Sequence, residues 1–173
     1  MTTHIRTLAQ SIRLLALDVD GVLTDGQLHY SAEGETLKVF NCQDGLGIQL
    51  LRKGGIDCVL ITGRNSPMVS RRAEELGITH VIQGRDDKLV ALQEFIAPLQ
   101  LKAEQIAYAG DDLPDLSAVK WCGVGIAVAN AHALVKQKAQ WQTRCNGGQG
   151  AVREICEGLL EMQGKLERLL MTY

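Results

Sequence analysis

Ile12-Arg13-Leu14-Leu15-Ala16-Leu17, followed by Asp18-Val19-Asp20-Gly21-Val22-Leu23-Thr24-Asp25, is the stretch on which the reading of this chain turns. A largely apolar run of this length, closed by polar residues, suits a strand buried on both faces better than a helix. Asp18 and Asp20 are two apart, so while the backbone stays extended both side chains project to one side, and Gly21 permits a sharp turn directly after them. Two like charges gathered at one strand end repel each other; a divalent cation relieves the repulsion and sets up phosphate chemistry. A bare D-x-D is more often a solvated turn, so this motif takes its meaning from what accompanies it.

The surrounding composition narrows the possibilities. A length of 173 residues is that of a single domain spanning 1–173, ample for one packed core. A net charge of -2 gives no electrostatic footprint for nucleic acid, so any bound anion must be met by local positive charge. The cysteines Cys42, Cys58, Cys122, Cys145 and Cys156 are odd in number and lack C-x-x-C spacing, which argues against a disulfide framework or a zinc knuckle. No signal-peptide-like segment precedes Ile12, and no apolar run is long enough to span a bilayer. The expectation is a soluble cytoplasmic protein with no membrane or nucleic-acid partner.

Outward from the first strand, residues 3 to 11 suit a short amphipathic helix. Leu28 and Tyr30, a turn-like Ala32-Glu33-Gly34-Glu35, and Leu37 with Val39 predict a β-hairpin flap over about 26–41. An isolated hairpin is marginal in water, so its apolar face needs cover from this chain or from another subunit. Asn41 to Gly45 reads as a polar loop before a helix that stops at Gly54-Gly55. Ile56 to Ile61 is a second buried strand ending in Thr62-Gly63-Arg64, after which Ser66 as N-cap and Pro67 open a helix through Leu76. A third strand at His80 to Ile82, a helix from Lys88 to about Pro98, a fourth strand at Ile106 to Ala109 and a fifth near Val124 to Val128 follow. This alternation predicts an α/β fold: a Rossmann-like, mainly parallel sheet flanked by helices, with right-handed crossovers and ligands at its carboxyl edge. Asp18, Thr62, Lys88 and Asp111, though remote in sequence, then meet in one crevice. The tail, about 144–173, carries a flexible Gly147-Gly148-Gln149-Gly150 and a helix from Ala151 to about Met171. Its stripe of Ile155, Leu159, Met162, Leu166 and Leu169 serves either the chain's own sheet or an oligomer contact.

With these pieces placed, the chain resembles the haloacid dehalogenase superfamily of phosphotransferases over nearly its whole length. The resemblance rests on Asp18 to Asp25, Thr62-Gly63-Arg64, Lys88, and Gly110-Asp111-Asp112 with Asp115. It implies that Asp18 attacks phosphorus and that Asp20 protonates the leaving alkoxide and then activates water. It further implies Mg2+ held by the Asp18 carboxylate, the Asp20 backbone carbonyl and Asp111. Thr62 and Gly63 then hold phosphoryl oxygens at a helix N-terminus, Lys88 offsets charge, and Asp112 and Asp115 support. Acid catalysis alone contributes roughly 10²–10⁴ toward accelerations that reach about 10²¹ for phosphomonoesters, so positioning and charge must supply most of the rate.

Neither the interval between the first and second motifs nor that between the second and third has room for a cap domain. The layout is similar to that of the capless, tetrameric members that act on 3-deoxy-D-manno-octulosonate 8-phosphate in lipopolysaccharide synthesis of Gram-negative bacteria. The matching segments are the flap, Phe40 to Gly45, Ile61 to Arg64, Gln83 to Lys88 and Gly147 to Glu154. That similarity implies a homotetramer whose flap and tail close a neighbour's site. It also implies a sugar-acid pocket lined by Asp20, Asn41, Cys42, Gln43, Asp44, Gly45, Gly63, Arg64, Arg72 and Lys88. Arginine forks suit a ligand carrying both carboxylate and phosphate. Gln49 stands where these relatives often carry a basic residue. The alternatives are a phosphatase for the nine-carbon 2-keto-3-deoxynononate 9-phosphate on the same scaffold, and a catalytically silent oligomerisation module, against which intact Asp18, Asp20, Lys88 and Asp111 speak.

Overall fold

The computed structural model describes residues 3–171 and 173. In chain order the elements are α1 (Thr3–Ala9), β1 (Leu14–Leu17), β2 (His29–Ser31), β3 (Gly34–Leu37), α2 (Cys42–Lys53), β4 (Asp57–Ile61), α3 (Pro67–Leu76), β5 (His80–Ile82) and α4 (Lys88–Ile96). Then come β6 (Ile106–Gly110), α5 (Leu116–Trp121), β7 (Val124–Ala127), α6 (Ala133–Lys138), β8 (Trp141–Gln142), α7 (Ala151–Met162) and α8 (Leu166–Leu170). Six strands form one parallel sheet in the order β5-β4-β1-β6-β7-β8, and β2 pairs with β3 in a separate antiparallel hairpin. Strand β1 is central and buried throughout, as its apolar run requires. The chain steps from β1 out to β4 and β5, then returns across β1 to β6, so the order reverses beside β1. That switch point is where parallel sheets open a crevice. Leu17 pairs with Leu60 on one side and Ala109 on the other, which sets the ends of β1, β4 and β6 level.

Helices cover the sheet in two groups. Helix α7 touches α1 and α2, and α2 touches α3; on the other side α4 touches α5, and α5 touches α6. No further domain is inserted between β1 and β4 or between β4 and α4 among the described residues. None of the described helices is long and apolar enough to cross a membrane.

Three local expectations are corrected. Residues 42–45 are the first turn of α2 rather than a loop: Asn41 is its N-cap, accepting from the Gln43 N–H at 2.8 Å. The glycines that made this segment look broken are there for packing. A Cβ on Gly45 would stand 2.3 Å from an Arg72 nitrogen, and one on Gly47 would stand 2.9 Å from Arg153 Cα. The C-terminal helix is two helices, because Gly164 adopts φ +68 and closes α7 with paired bonds, Lys165 N–H to Leu160 O at 2.8 Å and Gly164 N–H to Glu161 O at 2.9 Å. Ser66 stands at the α3 N-cap position, yet its hydroxyl donates to Glu35 of the flap at 2.8 Å instead of capping. The two-residue strand β8 and the helices α5 and α6 are too short to announce themselves by periodicity.

Candidate active site

Asp18 is the first residue beyond β1, and its N–H still bonds Ala109 O at 3.0 Å, so β6 holds the strand end that carries Asp18 in place. The chain then turns tightly, with the N–H groups of Val22, Leu23 and Thr24 all directed at Val19 O. Gly21 adopts φ +100, and the Asp111 carboxylate fills the space its Cβ would take, 2.2 Å away. The absent side chain thus lets a β6 carboxylate approach the β1 turn.

Lys88, the first residue of α4, is buried and donates to Asp18 Oδ1 and Asp115 Oδ1, each at 2.7 Å. Asp115 is fully buried and saturated. Its Oδ1 also accepts from Tyr108 Oη at 2.8 Å, and its Oδ2 accepts from the N–H groups of Asp111 and Asp112 at 2.9 and 3.2 Å. Ligand oxygens of Asp18, Asp111 and Asp115 lie within 4.8 Å of one another. Three carboxylates therefore face a single ammonium. Burial, then the charge of Asp115, pushes the Asp18 carboxyl well above its ordinary range, with Lys88 pulling it back. The same two influences bring Asp111 up to about 6. Burial works against the charge of Lys88, but Asp18 and Asp115 outweigh it and hold its pKa above the usual lysine value.

This excess of carboxylate oxygen, desolvated and only partly neutralised, is a donor set for a hard divalent cation. Since all the lone pairs of Asp115 are engaged, the oxygens free to coordinate are those of Asp18 and Asp111. The residues fit the magnesium that the sequence implies.

Thr62 is buried at the end of β4, its hydroxyl accepting from the Arg64 N–H at 3.2 Å. Asp18, Asp20, Thr62, Gly63, Arg64 and Lys88 line one cavity of about 430 Å³, completed by Gly26 and Leu28 of the flap, Asp86, and the Asp111–Asp115 turn. Thr62 and Gly63 lie in the loop ahead of α3 rather than at its first turn.

The haloacid dehalogenase-like hydrolase profile matches residues 78–155. The chain is 50% identical to the 3-deoxy-D-manno-octulosonate 8-phosphate phosphatase of Yersinia pestis over 92% of this chain and 85% of that one. The chain belongs to the 3-deoxy-D-manno-octulosonate 8-phosphate phosphatase family. The crystal structure of the Moraxella catarrhalis family member, in complex with magnesium ion, phosphate ion and KDO, superposes with a TM-score of 0.96 at 48% identity, covering 99% of both chains. The cobalt-bound Haemophilus influenzae member superposes with a TM-score of 0.91 at 40% identity, covering 95% of this chain and 99% of that one.

Other residues expected in the pocket of this phosphatase lie elsewhere. Asp44 is buried beneath α7, accepting from the N–H groups of Arg153 at 2.8 Å and Gly150 at 3.4 Å. Asn41 donates to Gly148 O at 3.3 Å, and Arg72 reaches Asn41 O at 3.4 Å and lies over Phe40. Gln43 faces a second groove beside the tail, and Cys42 and Gln49 are exposed on α2. Asp18, Asp20, Thr62, Gly63, Arg64 and Lys88 thus meet in one cavity, whereas of the second group Asn41 and Asp44 bond the tail.

Sequence reasoning passed over Lys38, Glu35, Tyr108 and Asp86. Lys38 had a signal: alternation places it opposite Leu37 and Val39, on the side of Phe40, which is the side that turns inward.

Proposed function

We propose that this phosphatase hydrolyses 3-deoxy-D-manno-octulosonate 8-phosphate to the free sugar acid and phosphate, through an aspartyl-phosphate on Asp18. The observation that carries the reading is the Asp18–Lys88–Asp111 cluster at the carboxyl edge, in a chain half identical to phosphatases named for that substrate.

The Asp18 carboxylate oxygen attacks phosphorus, and the bond from phosphorus to the C8 oxygen breaks. Asp20 gives that oxygen its proton. Asp20 then takes a proton from water, whose oxygen attacks the phosphorus of the aspartyl-phosphate, releasing phosphate and restoring Asp18. The Thr62 hydroxyl and Gly63 N–H orient phosphoryl oxygens, and Lys88 stays between Asp18 and Asp115, fixing the nucleophile and balancing charge at the buried floor of the cavity. Magnesium would be held by the carboxylates of Asp18 and Asp111 and the Asp20 backbone carbonyl, and when bound it supplies the positive charge that lets two anions approach. Arg64, exposed and lining the cavity, is the cation we assign to the substrate carboxylate.

The outer face of the flap supports a homo-oligomer, which we take to be the tetramer: Leu37 and Val39 are 49% and 55% exposed, so the described residues of its own chain cover this apolar side only in part. A neighbour seated there would add a further wall to the sugar-binding end of the site. Free cysteines throughout are consistent with a reducing cytoplasm.

The test is phosphate release from a panel of eight- and nine-carbon keto-sugar phosphates and common hexose and pentose phosphates, with Asp18→Asn as blank. The expected result is highest kcat/KM on the eight-carbon ester, silenced by EDTA, restored by magnesium, and reduced more than about 10³-fold in Asp18→Asn. Preference for the nine-carbon ester moves the substrate; turnover by Asp18→Asn or in EDTA removes the mechanism.

A further inference from the structure

Lys38 belongs to none of the motifs above, and an exposed hairpin is an ordinary place for a solvated lysine. Here its side chain is only 1% exposed. A buried ammonium is costly unless it is paired, so the pairing calls for explanation. Lys38 Nζ donates to Asp20 Oδ1 at the edge of the cavity and lies 2.9 Å from Glu35 Oε1. The second Glu35 oxygen accepts from Ser66 at 2.8 Å, and Tyr30 Oη accepts from Arg64 at 2.8 Å. The flap is thus tied to the loops after β1 and β4 by three polar contacts, and of these only the one from Lys38 reaches Asp20. Burial disfavours the charged amine, but the hydrogen bonds with Asp20 and Glu35 more than compensate.

We infer that Lys38 is a positioning residue for Asp20, holding Oδ1 from the flap so that Oδ2 is aimed at the leaving oxygen and then at water. The inference rests on the acid–base reading of Asp20 above. Its physical content is orientation: an aspartate side chain left without a partner rotates about two bonds, and a proton transfer needs a hydrogen-bond geometry that such rotation dilutes; against Lys38 the Asp20 side chain is held 18% exposed. The flap then does more than cover the cavity. When it lifts, Asp20 loses the contact that fixes it, so acid–base catalysis and closure become one event. Glu35 keeps Lys38 in place by anchoring the other side of the ammonium to Ser66.

A double-mutant cycle tests this, read as kcat, KM and thermal midpoint with magnesium present, on 3-deoxy-D-manno-octulosonate 8-phosphate and on p-nitrophenyl phosphate. Lys38→Met is expected to lower kcat about tenfold or more while KM moves less than about threefold, and Lys38→Arg to recover part of the loss. Asp20→Ala/Lys38→Met should be no slower than Asp20→Ala alone, because Lys38 acts through Asp20. An unchanged kcat in Lys38→Met, or losses that add in the double variant, overturns the inference. If Lys38→Met does not fold, Lys38→Gln and Lys38→Arg carry the same cycle. Wild-type turnover of the nitrophenyl ester without turnover of the sugar acid phosphate overturns the substrate reading, and the cycle on the nitrophenyl ester, whose leaving group departs without a general acid, still decides whether Lys38 acts through Asp20 in activating water. No turnover of either ester overturns both.

Discussion

Gly147 is close-packed where a flexible linker is expected. A Cβ there would sit 1.7 Å from the carbonyl oxygen of Gly21, and the neighbouring Gly148 N–H bonds Val22 O at 3.0 Å. Asn130 Oδ1 accepts from the Gly147 N–H at 2.9 Å, so the tail turn is wedged against the loop that carries Asp18 and Asp20. Gly147→Ala should therefore push that loop aside. The expected outcome is a stability loss of about 1–3 kcal/mol from overpacking and a fall in kcat approaching about 10²-fold, from a displacement on the order of 1 Å at the reacting groups. Urea unfolding and steady-state kinetics on one preparation check both. A glycine required by a neighbour's backbone and a glycine required for freedom are the same letter, so the sequence could not separate these readings. Asp18, Thr62, Lys88 and Asp111 were legible because each ends a strand or begins a helix in a patterned position.

At the scale of the element, α7 shows how tertiary capping escapes a local reading. Its N-cap position is Gly150, which has no side chain to offer, and the cap comes from Asp44 on α2 across 109 residues to Arg153. Residue-by-residue resemblance gave Asp44 to the sugar pocket, whereas burial and its bonds make it the joint between α2 and α7. Asp44→Ala should cost about 1–2 kcal/mol in urea unfolding, since it leaves helix N–H groups buried and unpaired. Burial raises the Asp44 carboxyl above its ordinary 3.8, against the Arg153, Gly150 and Val152 N–H groups that lower it. The folded state therefore binds this proton more readily than the unfolded chain. Its contribution to stability declines as pH rises from about 3.8 through the folded value and is flat beyond it. The stability difference between wild type and Asp44→Asn, followed across that range, should show this decline. The stripe on α7 resolves in the same terms: Ile155 and Leu159 are fully buried against their own chain. Removing everything after Gly150 would strip the core rather than spare the fold.

For the whole molecule, the parallel sheet and the meeting of Asp18, Thr62, Lys88 and Asp111 at its carboxyl edge follow from patterns each strand carries in itself, which is why they could be read ahead of the structure, whereas the strand order with its sixth member β8 could not. The residues given to the sugar-binding end could not, because where Asn41, Asp44 and Arg72 lie depends on contacts between elements remote in sequence. Asn41 reaches the tail and Arg72 reaches Asn41 rather than the cavity, and of the flap only Gly26 and Leu28 are among the cavity's lining residues. A hairpin with Leu37 and Val39 turned outward and Lys38 turned inward has its polar side committed to Asp20 and its apolar side unmet. Closure of the site and burial of that face are then the same event if subunits assemble through the flap. Replacing both residues by charge, Leu37→Glu/Val39→Glu, should dissociate a wild-type tetramer to smaller species in analytical ultracentrifugation. Each residue so replaced forfeits about 1.5–3 kcal/mol of burial per subunit. The dissociated protein should keep magnesium binding, because Asp18 and Asp111 are supplied by one chain, while KM for the sugar acid phosphate rises at least about tenfold as the mouth loses its far wall. A wild-type protein that sediments as an active monomer, or a dissociated variant with unchanged KM, would place the whole substrate site within one chain.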